Sequence, residues 1–240
     1  MSTPPSTDRL AANIRSVRDR IARAARADGR DAGGVRLVAV SKTFPLEAIA
    51  AAAAGGLEDF GENRVQEALA KMDRASDPLP IRWHLIGHLQ SNKARQAAAR
   101  FDWIHSVDSL KLLRRLDAAA LDAGTRPKLL IQADLAGEAK KHGAGADEVQ
   151  RLFDAAADCR AVDVRGLMLM PPWNADPEQT RPYFRRLREL RDTLRHKCVP
   201  EPALAELSMG MSHDFEVAIA EGATMVRVGT ALFGRRTPPV

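Results

Sequence analysis

The chain alternates, eight times over, between a short apolar run and a helical stretch, and that alternation constrains its fold more than any other feature. Residues 35–40 form the first such run, mostly apolar as a strand covered on both faces must be. Ser41, Lys42, Thr43 and Phe44 follow, and Pro45 opens an alanine-rich helix that Gly55 closes. The unit returns with candidate strands at 57–60, 81–86, 103–106, 128–133, 162–168, 205–207 and 225–228. Between them Asn63 and Gln66 are spaced as a capping pair, and Asp108 with Ser109 opens another helix. Ser212, Asp214 and Glu216 start a later helix that Gly222 stops. One helix precedes every strand: Leu10, Ile14, Val17 and Ile21 recur at steps of three and four, behind Ser6, Thr7 and Asp8 and ahead of Gly29.

Strict alternation over this length leaves a closed barrel or a doubly wound open sheet. A dinucleotide-binding sheet carries G-x-G-x-x-G after its first strand, whereas this turn reads Ser-Lys-Thr-Phe. The expectation is an α/β fold: a single (β/α)8 TIM-type barrel with an extra N-terminal helix. At 240 residues and 45% hydrophobic content the chain fits one such barrel, and no linker marks a second domain, so 1–240 reads as one domain. Pro171, Pro172, Trp173 and Asn174 belong to a long loop after the sixth strand. No apolar run approaches the ~20 residues that span a bilayer, and the start lacks the zones of a secretory signal. A cytoplasmic protein without membrane contact is expected. Cys159 and Cys198 lie far apart and outside C-x-x-C spacing, which points to reduced structural thiols and no metal site. The charge of +5 is not arranged for nucleic acid, because the arginines lie along helices without interleaved aromatics. In 181–197, for example, Tyr183, Phe184, Leu187, Leu190 and Leu194 form an apolar stripe, and the basic residues read as a solvated face.

Functional residues of such a barrel gather at the carboxyl ends of its strands. Lys42 stands there, either as a solvated loop lysine or as an amine whose pKa partial desolvation lowers enough to attack an aldehyde. At the other end of the chain, Ser208, Met209, Gly210, Met211 and Ser212 follow the seventh strand, and Arg227, Val228, Gly229 and Thr230 follow the eighth. Small residues, hydroxyls and two helix starts suit a phosphate, although each loop alone is also an ordinary helix cap. A lysine and a phosphate cup across one barrel mouth ask for a ligand with an electrophilic carbon at one end and phosphate at the other. A sugar phosphate and pyridoxal 5'-phosphate (PLP) both qualify.

The motifs then become specific. Val38-Ala39-Val40-Ser41-Lys42-Thr43, Phe60-Gly61-Glu62-Asn63 with Val65-Gln66-Glu67, and Trp83-His84-Leu85-Ile86-Gly87 with Leu89-Gln90-Ser91-Asn92-Lys93 stand in order along the chain. Arg165-Gly166-Leu167-Met168, the segment 207–212, and 226–230 with Phe233-Gly234 follow. Together they resemble the PLP homeostasis protein family from about residue 35 to residue 234. The resemblance implies a monomeric barrel related to the alanine racemase N-terminal domain (PLP fold type III), with PLP held on Lys42 as a Schiff base. It implies a role in carrying, buffering or delivering PLP, to PLP-dependent apo-enzymes among others, and in maintaining vitamin B6 and amino-acid homeostasis. By the same carry-over Ser208, Met209, Gly210, Gly229 and Thr230 hold the phosphate. Arg227 faces the pyridine nitrogen, where an always-protonated guanidinium weakens the ring as an electron sink. Asn63 reads as a helix cap or as a contact to the ring oxygen. His84 reads as a wall of the PLP pocket or as a hydrogen-bonded core histidine. Lys140-Lys141-His142-Gly143 resembles a family loop that could hold a second PLP, or is a solvated loop.

A racemase of the alanine type needs acid/base groups on both faces of the substrate carbon, and in that family one is a tyrosine from a strand-rich domain of a partner subunit. Here the one tyrosine, Tyr183, falls on an outer helix, so no second base is evident and no catalytic residue is assigned. Three readings stand: a PLP carrier without efficient turnover, which we favour; a PLP-dependent amino-acid racemase or lyase; and a Schiff-base aldolase acting on a sugar phosphate. Only the PLP readings have a use for Arg227.

Overall fold

The computed structural model describes residues 4–75, 79–135 and 142–235. Eight parallel strands close into one barrel in sequence order: β1 (Arg36–Val40), β2 (Asp59–Glu62), β3 (Arg82–Leu85), β4 (Trp103–Val107), β5 (Lys128–Gln132), β6 (Asp163–Met168), β7 (Glu206–Met211) and β8 (Met225–Val228), with β8 pairing back onto β1. The expected TIM-type barrel is therefore present. The helices are α1 (Thr7–Ala27), α2 (Leu46–Ala54), α3 (Val65–Arg74), α4 (Ala94–Arg100), α5 (Leu110–Ala123), α6 (Ala146–Ala156), α7 (Arg181–His196), α8 (Phe215–Ala220) and α9 (Thr230–Phe233). No helix among the described residues is long and apolar enough to cross a membrane.

Residue parity explains the layers. Ala39, Phe60, Leu85, Ile104, Leu129, Ile131, Leu167, Leu207, Val226 and Val228 belong to the large apolar core that the helices cover. Their alternates point into the barrel. The extra helix α1 buries Leu10, Ile14, Val17 and Ile21, as its spacing predicts, each worth on the order of 1.5–3 kcal/mol when fully buried. It lies across α8 and α9, tied by Asn13 Nδ2 donating to Leu232 O (2.7 Å) and by Arg30 donating to Ile219 O and Ala223 O (both 2.8 Å).

Two local expectations change. The basic face of α7 is not simply solvated: Arg181, Arg185 and Arg188 converge within 3.0–3.2 Å on Glu221, which is buried just past α8. And Asn63 does not cap α3, whose N-cap is Arg64 without a side-chain bond. Ser109 does cap α5, accepting from Leu112 N–H.

The barrel interior has an apolar layer of Trp103, Leu130, Met168 and Met225, and two residues further along β4, β5 and β8 it turns polar at His105, Gln132 and Arg227. Arg227 Nη1 donates to Ser208 Oγ (2.6 Å), Ser208 Oγ meets His105 Nδ1 (2.9 Å), His105 Nε2 meets His84 Nδ1 (2.9 Å), and His84 Nε2 meets Asp59 Oδ1 (2.9 Å). A guanidinium can only donate and a carboxylate can only accept, so with both imidazoles neutral, as their burial favours, every proton in between is assigned. Ser208 donates to His105, and both imidazoles are neutral with the proton on Nε2. Electrostatics agree. Burial pushes both imidazoles below their ordinary value, for His84 against the pull of Asp59. Burial would raise the Asp59 carboxyl, yet hydrogen bonds from Arg82 and His84 hold it well below the usual carboxylate range. Burial pushes Arg227 down to about 10, which still leaves it charged at neutral pH.

Two outcomes follow from this packing. In Gly166→Ala the new Cβ would sit 1.9 Å from the Glu206 carbonyl oxygen on the adjoining strand, so urea unfolding should report a loss of roughly 1–3 kcal/mol. Because the folded pKa of His84 and His105 lies below the unfolded value, the unfolded chain gains protons first as pH falls below about 6.5. Stability should then drop by up to about 1.4 kcal/mol per pH unit for each imidazole. Long-range 1H–15N spectra of the folded protein should show both as Nε2–H tautomers throughout, and an Nδ1–H form of either would contradict the chain.

Candidate functional site

Lys42 follows β1 on a turn whose neighbours on both sides are clamped. The Ser41 carbonyl accepts from Lys71 Nζ (3.1 Å), and the Thr43 N–H donates to Glu67 Oε1. Thr43 sits at φ 71°, a left-handed conformation that a β-branched residue avoids unless its surroundings impose it. The clamp supplies that imposition. Lys71 and Glu67 stand one turn apart on α3 and meet at 3.0 Å, while Lys71 also donates to Glu62 Oε1 (2.7 Å), which accepts from Ser41 Oγ (2.6 Å). Glu62 is wholly buried; burial raises its pKa and the Lys71 ammonium opposes that rise. Glu62 comes from the end of β2 and Lys71 from α3, so the geometry of the Lys42 turn is set by the next strand-helix unit.

Lys42 lines a cavity of about 460 Å³ at the carboxyl ends of the strands. Asn63 stands near it on the wall, and Gly87 shares that side because a Cβ there would lie 2.2 Å from the Asn63 carbonyl oxygen. Arg227 contributes from below, its Nη2 donating to Leu169 O (2.9 Å). Met211, Ser212, Gly229 and Thr230 form another part of the lining. Ser212 Oγ accepts from the N–H groups of Gly229 (3.1 Å) and Ala231 (3.3 Å), so its own hydroxyl hydrogen remains as a donor. Lys42, Asn63, Arg227, Gly229 and Thr230 are therefore brought to one cavity, as their positions in the sequence imply.

Four expected site residues are placed elsewhere. His84 is 0% exposed and lies in the buried chain beneath the cavity, absent from its lining. Strand β7 runs on through Met211, so Ser208, Met209 and Gly210 are strand residues and not a loop opening a helix. Ser208 points inward to Arg227 and His105, and Met209 points outward into the helix-covered core. Gly210, at φ 90°, lies where a Cβ would come within 2.6 Å of the Ala218 Cβ. The lining falls one step later, on Met211 and Ser212. The helices that follow are also short, six residues for α8 and four for α9, which leaves hydroxyl and guanidinium donors as the main anion-facing groups.

Further residues reach the mouth, of which the sequence singles out neither His88 nor His213. His88, His142, His213, Met170 and Trp173 all line the cavity, with Trp173 77% exposed and its ring against His213. His88 interrupts a motif that was read on either side of it, and the long proline-containing loop was the one signal for Met170 and Trp173. Lys140 and Lys141, considered for a second ligand, lie outside the described residues.

The residues fit PLP by size and donor set: an amine, a fixed cation and hydroxyl donors line one cavity of suitable volume. A family model described as alanine racemase, N-terminal domain, matches residues 6–237. The pyridoxal phosphate homeostasis protein of Pseudomonas aeruginosa is 46% identical over 228 residues, covering 95% of this chain and 96% of that one. Its counterpart in Aquifex aeolicus is 44% identical over 220 residues, covering 92% and 95%. PipY of Synechococcus elongatus, solved without PLP, superposes with a TM-score of 0.85 at 42% identity, covering 94% of this chain and 100% of that chain. The same protein solved with PLP bound gives 0.83 at 41% identity. An alanine racemase from Streptomyces coelicolor, at 21% identity and a TM-score of 0.70, covers 94% of this chain and 58% of its own and shares the fold. With both ends of the barrel and nearly the full length shared at such identity, the chain belongs to the pyridoxal phosphate homeostasis protein family, built on the barrel of the alanine racemase N-terminal domain.

Proposed function

We propose that this chain, as one domain, binds PLP in the cavity at the carboxyl ends of the strands, with Lys42 as the Schiff-base lysine, and that it carries, buffers and delivers the cofactor in the cytoplasm as a monomer. The observation that carries this reading is the clamped Lys42 turn opening onto the same cavity as Arg227, Ser212 and Thr230. A relative of 41% identity has been solved with PLP bound, which supports the ligand. When bound, PLP supplies an aldehyde carbon that an amine attacks with loss of water. The remaining roles belong to the protein. The clamp on Ser41 and Thr43 holds the Lys42 backbone so that its side chain reaches the cavity from one direction. Ser212, Gly229 and Thr230 would receive the phosphate, and Asn63, in the same lining, would face the ring oxygen. Arg227 already donates to Ser208 and Leu169, so it meets the pyridine nitrogen as a fixed cation and keeps that nitrogen unprotonated. An unprotonated ring is a poor electron sink, which favours holding PLP over turning substrate over. PLP-dependent apo-enzymes are the proposed recipients.

A second reading, an amino-acid racemase or lyase, draws support from His88, His142 and His213, which line the cavity and are chemically able to move a proton. The two are separated by offering the PLP-loaded protein a panel of L-amino acids and following α-proton exchange with solvent; rapid exchange overturns the carrier reading. The PLP assignment is tested by borohydride reduction and intact mass. Wild-type protein should retain about one covalent PLP per chain on the peptide containing Lys42, and Lys42→Ala should retain at least about tenfold less, since no other lining lysine is described to take over the attack. Equal retention in the variant would remove Lys42 from its role.

A further inference from the structure

Beside the PLP cavity, the ends of two neighbouring strands and the segment leading into α6 bring two imidazoles and a carboxylate to one point. His88 follows β3, Asp108 follows β4 directly, and His142 lies between β5 and α6. One donor atom from each lies within 4.8 Å of the other two. His88 Nδ1 is 3.5 Å from Asp108 Oδ2, too long for a good hydrogen bond, and the two imidazoles lie face to face at 3.5 Å between centroids and 8° between planes. Among the described residues no hydrogen bond joins the three side chains, whose contacts with one another are the long His88–Asp108 pair and the ring stack.

The backbone beneath them is held. Gln132 Nε2 donates to the His142 carbonyl (2.7 Å), and Gly143 next to it has φ 145° with a would-be Cβ 2.8 Å from Asp134 N. Gly87, before His88, is pressed equally closely on Asn63. Asp108 is fixed between β4 and the Ser109 cap of α5. The side chains of His88 and His142 are exposed and able to turn. Donor atoms bound tetrahedrally at ~2.0–2.1 Å stand about 3.3 Å apart, so the observed spacing closes once the two exposed imidazoles turn out of their parallel stack and aim their in-plane nitrogens at one point.

The geometry points to a site for one divalent transition-metal ion, of the zinc, cobalt or nickel class, bound by His88, Asp108 and His142. Two nitrogens and one carboxylate oxygen suit borderline metals and not calcium or magnesium, which take oxygen donors. Three protein ligands leave a position open, and His88 and His142 both line the cavity, so the open position faces it. The ion would clip the segment at His142 to the ends of β3 and β4 at the cavity edge. This inference does not rest on PLP binding, and metal-free, tag-free Lys42→Ala protein should behave as wild type in its test.

Metal-free protein is titrated with Co2+ in the visible range and with Zn2+ by calorimetry. One equivalent per chain should bind, with the ligand-field absorption of low-coordinate cobalt, and Zn2+ should raise the melting temperature. His88→Gln/His142→Gln should abolish the cobalt spectrum and the thermal shift. Asp108→Asn should weaken binding by at least about tenfold, the effect expected for losing even a supporting group of a metal site. His196→Gln, on the exposed face of α7, should change nothing. Affinity and spectrum unchanged in the double variant would mean adventitious surface binding and overturn the site, and an unaltered Asp108→Asn protein would overturn the three-ligand assignment. Melting temperatures of the metal-free variants show that each is folded.

Discussion

The hydrogen-bonded chain from Arg227 through Ser208, His105 and His84 to Asp59 is the constraint on which the rest of the molecule depends. It fills the part of a barrel interior that branched aliphatic residues normally pack. A buried polar chain of this kind is stable only when complete, since each missing partner leaves an unsatisfied group in a low dielectric. Here completeness dictates direction: donors point from Arg227 toward Asp59. Arg227 is thereby fixed as a cation at the base of the cavity, and the buried carboxylate that favours its charge is Asp214, just past β7.

A second buried network does for Lys42 what this chain does for Arg227. Glu62, Lys71 and Glu67 grip the residues flanking Lys42, and the left-handed Thr43 shows that the grip overrides local preference. Breaking a buried ion pair by removing one partner leaves a charge uncompensated, at a typical cost of about 3–5 kcal/mol. The placement of Lys42 is for that reason tied to the stability of its neighbouring strand-helix unit.

Much of this was legible in the sequence. Lys42, Gly229 and Thr230 were placed because a residue just beyond a parallel strand must lie at the barrel mouth, whatever the details of the strand, while Arg227, within β8, reaches the cavity from inside the barrel. The differences lie where strand length matters, since the run expected to end at residue 207 continues as β7 to Met211. Extending β7 to Met211 turned Ser208, Met209 and Gly210 from loop into strand and passed the lining to Ser212. Likewise His84 was correctly read as inward-facing, but inward at its level means the sealed interior and not the cavity. Such boundaries depend on register against neighbouring strands, and β7 and β8 shift register between Ser208 and Met211.

What the sequence determined by itself was the alternation of strand and helix, the inward or outward parity of each strand, and the residues that follow each strand. These are local properties, carried by hydrophobic period and chain direction. The tertiary structure alone decided which distant groups meet: Asp59 with His84 and His105, Lys71 with the turn that holds Lys42, and His88 with Asp108 and His142. Pairing of neighbouring strands and packing of their helices bring these residues together across about 20 to 54 positions of sequence, and no local signal encodes contacts made only when separate strand-helix units meet.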